Sequence, residues 1–229
     1  MSDGPVTDVL PELNLKLLLK VKYFVVENIR SARRFLRRAH HDIDIDALHF
    51  TELNEHTAPG DVPAMLTPAL HGHDIGVLSE AGCPAVADPG ALLVDHARRH
   101  GLRVIPLVGP NSIIMALMAS GFNGQSFTFH GYLPIEAGAR TAALKEMERA
   151  AQHRGQTQIF IEAPYRNARL MQALCRTLSP STMLCVASDI TGPAESIVTL
   201  PVQAWLKKLS ASPDVIGKVP SIFLFNRQQ

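Results

Sequence analysis

The chain has 229 residues, 46% of them hydrophobic, and a formal net charge of +1. That is enough apolar material for a sizeable core in one large or two small domains. The near-balance of charge excludes a global positive field that would draw nucleic acid, so any such binding must come from a local patch. No apolar run approaches the ~20 residues of a membrane span, and the N-terminus lacks a basic start and an apolar signal segment. Three cysteines, Cys83, Cys175 and Cys185, form no CxxC pair, which points to a reducing, cytoplasmic setting without structural zinc.

In chain order, helical patterns over residues 10–20, 29–40, 62–71, 91–100, 110–120, 139–153, 166–178 and 202–209 alternate with β-like runs. The runs cover residues 23–26, 47–53, 74–78, 103–108, 126–131, 157–161, 182–187, 195–200 and 221–225. Alternation of this kind predicts an α/β fold with a largely parallel sheet flanked by helices. Near Gly131-Tyr132-Leu133-Pro134 a polar segment leads into a long charged helix. The expected organisation is therefore an N-terminal α/β domain over residues 1–131 and a mixed α/β domain over 132–229. The chain opens on Gly4-Pro5 and goes almost directly into helix, whereas a doubly wound domain normally opens with a central strand.

The first helix with a chemical signal covers residues 29–40. Arg30, Arg33, Arg34, Arg37 and Arg38 fall on one face, opposite Ile29, Ala32, Phe35, Leu36 and Ala39. Acids flank this stripe only at its ends, as Glu27 and Asp42, which leaves its middle unpaired. It reads either as an ordinary solvated face or as an anion-binding face with RNA phosphate as partner. Arginine in place of lysine favours bidentate phosphate contact.

The run 75–78 is followed by Ser79-Glu80-Ala81-Gly82-Cys83-Pro84-Ala85-Val86-Ala87-Asp88-Pro89-Gly90. This strand-to-helix connection is about twice the usual two to six residues, and it is stiffened by glycine and proline. A second turn, Val108-Gly109-Pro110-Asn111-Ser112, follows the run 103–108 and opens a helix whose free N–H groups favour an anion. Both loops leave the carboxyl ends of expected parallel strands, where open α/β sheets bind ligands. There is no GxG, no GxxxxGK[ST] and no GxSxG. His71, His73 and Asp74 read as a solvated turn, as do His40 and His41. Cys83 reads as a packing residue because no base stands beside it.

The loop SEAGCPAVADPG, then VGPNSIIMAL and FHGYLP, resembles the tetrapyrrole methylase superfamily. Within it, the sequence is most similar to the ribosomal small-subunit RNA cytidine 2′-O-methyltransferase I branch. The likeness continues through Phe160-Ile161-Glu162-Ala163-Pro164-Tyr165-Arg166 and covers the chain from about Glu27 onward. It implies a two-domain α/β enzyme, usually a homodimer, that binds S-adenosylmethionine in the cleft between its domains. The implied cofactor contacts are Ala81, Gly82, Cys83, Val86, Asn111, Ser112, Glu162 and Ile190. The implied substrate is RNA, met by Arg30, Arg33, Arg34 and Arg37, with no membrane partner.

The branch has EDTR where this chain has Glu27-Asn28-Ile29-Arg30 and SDAGTP where it has Ser79-Glu80-Ala81-Gly82-Cys83-Pro84. It has an RELTKxxE-like segment in place of Ser188 to Glu195. Its first strand and glycine/proline loop have no counterpart here, so Met1 is expected to be a truncated or misassigned start. A ribose hydroxyl needs a base, or a cation for its developing alkoxide, and Glu27, Glu80 and Arg30 are the candidates. The alternatives are a methylase of a tetrapyrrole or another small molecule, and a cofactor-binding member without activity.

Overall fold

The computed structural model describes residues 4–227; Met1, the expected truncated start, lies outside them. The chain divides into two compact units, Met1–Asn111 and Ser112–Gln229. The segment 112–131, expected in the first domain, belongs to the second unit. Its helix packs on β-strands of that unit, and its strand pairs there.

Unit 1 is built on a three-stranded parallel sheet of order β2-β1-β3. The strands are β1 (Tyr23–Val26), β2 (His49–Glu52) and β3 (Ile75–Leu78). The alternation of β1 sends its side chains to two apolar layers. Val25 joins Leu53, Val62, Leu66, Leu93 and Ala97, beneath α4 (Gly90–Arg99). Phe24 and Val26 join Ala32, Leu36 and Ile45, beneath α2 (Ile29–Ala39). The other helices of this unit are α1 (Glu12–Leu18) and α3 (Thr67–Leu70). The single α-helix expected over residues 62–71 is instead a 3-10 helix, Pro59–Leu66, followed by the short α3. Pro63 and Pro68 each remove a backbone donor and crowd the preceding turn, which prevents one continuous helix.

The expected strand at 103–108 does not form. Those residues are irregular, and Val104, Ile105, Leu107 and Val108 are 46%, 60%, 44% and 75% exposed. β-branched composition favours an extended backbone, but a strand also needs a neighbour to complete its ladder. Among the described residues neither this segment nor the outer edge of β3 has one.

Unit 2 holds a mixed five-stranded sheet of order β4-β5-β8-β6-β7. The strands are β4 (Phe127–Tyr132), β5 (Thr157–Glu162), β6 (Met183–Ser188), β7 (Ser196–Pro201) and β8 (Ser221–Asn226). In β8, Ile222 and Leu224 face a layer with Ala116 and Leu117 of α5 (Ser112–Ser120). Phe223 and Phe225 face the larger layer. That layer is covered by α6 (Ala137–Arg154), α7 (Asn167–Thr177) and α8 (Val202–Ala211). Trp205 is buried there and donates its indole N–H to the Leu184 carbonyl at 2.9 Å. No helix among the described residues is long and apolar enough to cross a membrane.

These ladders make a difference that hydrogen exchange reads. Amides of Arg103, Val104, Ile105 and Leu107 exchange on the fastest timescale, whereas those of Phe223 and Leu224 in the central β8 exchange only with global unfolding. Slow exchange at Arg103, Val104, Ile105 and Leu107 would show that the segment is paired.

Candidate functional site

Residues 79–89 carry no regular structure between β3 and α4, so their backbone groups need other partners. Two carboxylates supply them. Glu27, just past β1, accepts the Glu80 N–H at 2.5 Å and the Ser79 hydroxyl at 3.3 Å. Asp88 Oδ1 accepts the N–H groups of Ala85 at 2.7 Å and Gly90 at 2.8 Å. A Cβ on Gly90 would lie 2.8 Å from that same oxygen, so the turn into α4 closes only over glycine. Ala85 and Ala87 take left-handed backbone, at φ 65 and 60. That conformation costs an alanine ~1 kcal/mol or more. The strain is held by the Asp88 bonds on either side, and strain of this kind concentrates at functional loops.

The two loops singled out in the sequence meet. The Cys83 thiol reaches the Pro110 carbonyl at 3.5 Å and the Gly109 carbonyl at 3.8 Å, while the Asn14 amide holds the Val108 carbonyl at 2.7 Å. Gly82, Cys83 and Asn111 are half-buried, and Ala81 and Val86 are exposed. Pro110 stands two residues before α5 rather than in its first turn, since the helix begins at Ser112.

In unit 2, Glu162 and Ile190 lie at one end of the sheet. Glu162 and Ser188 both register with Ser221 of β8, and Ile190 follows β6 by two residues. Ile190 and Ile113 of α5 pack in the same apolar cluster, which brings the start of α5, with Ser112, to this end. Glu162 forms an ion pair with Arg166 at 2.7 Å, its side chain only 7% exposed. Beside it Asn167 is fully buried and donates to the carbonyls of Gly217 and Val219. The Ser188 and Ser221 hydroxyls bond at 2.8 Å. The following turn carries Asp189 and Thr191 in left-handed backbone, and a Cβ on Gly192 would collide with the Asp189 carboxylate.

The arginine stripe is less uniform than its spacing suggests. Its middle is not unpaired: Arg33 bonds Asp46 at 2.5 Å and lies over the Phe50 ring at 6.0 Å. Arg38 donates to the Gly4 carbonyl at 2.6 Å, and Asp42 pairs with His40 and His41 rather than with an arginine. Arg30, Arg34 and Arg37 remain exposed on α2. Sequence reading missed Asp88 as a clamp and Asp46 as the partner of Arg33. The Asp-Pro-Gly spacing could have shown the first, but no local pattern shows the second.

No protein-family model matches the chain. A ribosomal RNA small subunit methyltransferase I of Vibrio cholerae is 32% identical over 188 residues, 82% of this chain and 62% of that one. The protein of the same name from Escherichia coli O157:H7 is 32% identical over 197 residues, 85% of this chain and 66% of that one. The chain thus spans somewhat under two thirds of the length of these relatives. Among solved structures, the methyltransferase CobJ matches with a TM-score of 0.63 at 17% identity, covering 96% of this chain and 89% of that one. A uroporphyrin-III C-methyltransferase from Thermus thermophilus complexed with S-adenosyl homocysteine gives 0.53 at 15%, covering 96% and 91%. These likenesses establish the fold.

Two outcomes test this geometry. Burial pushes the Cys175 thiol up to about 11 and raises Cys185 as well. Iodoacetamide at pH 8 should therefore modify Cys83 while sparing both; labelling of Cys175 or Cys185 ahead of Cys83 would contradict the packing. Glu162→Ala strands the Arg166 guanidinium, and removal of one partner of a buried pair costs about 3 kcal/mol. Urea denaturation should show a loss of that order in unit 2, and an unchanged midpoint would place the pair at the surface.

Proposed function

The chain belongs to the tetrapyrrole methylase superfamily, on the branch of the ribosomal RNA small subunit methyltransferase I proteins, and from that premise we propose that it is an S-adenosylmethionine-dependent methyltransferase acting on ribosomal RNA at a ribose 2′-oxygen. The observation that carries this reading is the contact of Cys83 with Gly109 and Pro110. It makes one wall of two loops that leave the sheet side of unit 1.

The residues fit the cofactor. Gly82 stands at φ +76 with nothing within 4 Å of an added Cβ, so the loop leaves open space beside its backbone, where a bulky ligand can approach. Val86 and Val108 offer exposed apolar side chains nearby in sequence to the contact. We assign Ala81, Gly82, Cys83, Val86 and Asn111 in unit 1, and Ser112, Glu162 and Ile190 in unit 2, to holding it. When bound, S-adenosylmethionine supplies the electrophilic methyl group. The protein then has to align the acceptor oxygen, exclude water and take up the acceptor's proton.

Of the three candidates for base or charge stabiliser, Glu27 is committed to the Glu80 N–H and acts as a positioning residue. Glu80 carries an exposed carboxylate on the loop itself and is the better base. To Arg30, exposed at the start of α2, we assign stabilisation of developing negative charge on oxygen. The face formed by Arg30, Arg34 and Arg37 meets RNA phosphates, with Arg33 fixed by Asp46 as its anchor. The protein acts in the cytoplasm, as a homodimer. A tetrapyrrole substrate is the second reading, favoured by the names of the fold neighbours. It is disfavoured by the sequence relatives, which are named for ribosomal RNA.

Incubation with methyl-labelled S-adenosylmethionine and undermodified small-subunit RNA should yield a labelled 2′-O-methylnucleoside by mass spectrometry. Glu80→Gln should lower the rate roughly a hundredfold, in line with the loss of general-base assistance. Label on a base nitrogen or carbon, or on an added tetrapyrrole alone, would refute the assignment.

A further inference from the structure

Unit 2 carries an open groove of about 670 Å³ between the edge strand β4 and the flank of α6. That volume suits a few nucleotide units. α6 lies over β5 and β8, which leaves the polar face of β4 uncovered. Along that strand Thr128, His130 and Tyr132 line the groove, and along the helix Glu146, Arg149, His153 and Arg154 do. The floor is Gln158, 1% exposed, whose amide oxygen bonds the His130 ring at 2.7 Å.

Two features are unusual for a passive surface. The β4–β5 register shifts between Phe129 and Tyr132, where Gly131 sits at φ +65. Irregularities of this kind re-aim side chains at binding sites, and here Tyr132 ends 61% exposed at the rim. The opposite wall holds two exposed guanidinium groups, Arg149 and Arg154, neither of them in an ion pair among the described residues. Glu146 is the one acid lining the groove, against Arg149, Arg154 and two histidines.

An exposed aromatic ring and exposed arginines lining one groove are the elements that bind single-stranded nucleic acid. Bases stack on the ring and phosphates meet the guanidinium forks. A duplex would offer no unstacked base to the ring. We propose that this groove binds single-stranded RNA, with a base on Tyr132 and backbone phosphates on Arg149 and Arg154. It is a contact surface additional to the α2 arginines, and it rests on the reading of the chain as an RNA methyltransferase.

The test is fluorescence anisotropy of a labelled single-stranded RNA of about twelve nucleotides across a salt series. Arg149→Ala with Arg154→Ala should weaken binding at least tenfold and reduce the slope of log affinity against log salt by about 1.4, the share of two phosphate contacts on a single strand. Tyr132→Ala should weaken it roughly ten- to a hundredfold, and Tyr132→Phe, which keeps the ring, should restore it. Thermal melting and S-adenosylmethionine calorimetry of each variant should match the wild type. Wild-type affinity and slope in the arginine variant would overturn the proposal. So would variants that alter only self-association, since that would make the groove a face between copies. If RNA is methylated while all variants bind normally, the groove fails and the methyltransferase reading stands. If the variants lose RNA binding but no RNA is methylated, the groove stands and the activity falls.

Discussion

A twelve-residue loop can serve as a rigid ligand wall only if its backbone groups are satisfied without a ladder or a helix. Here two carboxylates meet that constraint. Asp88 closes the loop on itself through Ala85 and Gly90, and Glu27 ties the loop's start to the end of β1 through Glu80. Hydrogen bonds to a charged acceptor are worth about 1.5–3 kcal/mol each. That is enough to offset two alanines held in left-handed backbone. With the loop fixed, the Cys83 thiol comes against Gly109 and Pro110, and the second loop takes its position from the first.

Unit 2 solves a related problem by burial. At the carboxyl ends of β5 and β6 it gathers an ion pair, a fully buried asparagine and two serines. A polar cluster in that position is costly unless satisfied, and most of its atoms are; the Arg166 Nε and Asn167 Oδ1 are the exceptions. The same sheet has a quieter edge at β4, where a glycine-centred irregularity and a basic helix flank leave an open groove. The candidate chemistry thus sits at strand ends, and the candidate RNA surfaces sit on helix flanks.

Much of this was legible in the sequence. Alternation located every strand among the described residues, most clearly those that hold a short apolar run at their centre, as Ile159-Phe160-Ile161 in β5 and Ile222-Phe223-Leu224-Phe225 in β8. The two glycine/proline loops announced themselves through residues that fix backbone shape. What was not legible depended on partners distant in the chain. Residues 103–108 have strand composition but no neighbour to pair with. Arg33 found Asp46, thirteen residues on and outside its helix. The prolines at 63 and 68 broke a helix whose apolar periodicity alone looked continuous. Ala85 and Ala87 gave no sign of their left-handed backbone, since that conformation is imposed by the Asp88 carboxylate and not by alanine itself.

The proposal on which the functional reading depends is that Ala81, Gly82, Cys83, Val86 and Asn111, and separately Ser112, Glu162 and Ile190, contact S-adenosylmethionine. Amide chemical-shift mapping during titration with S-adenosyl homocysteine addresses it directly. The account predicts saturable shifts at Ala81, Gly82, Cys83, Val86, Asn111, Ser112, Glu162 and Ile190, with the β4–α6 groove unmoved. Shifts centred on other residues would contradict it.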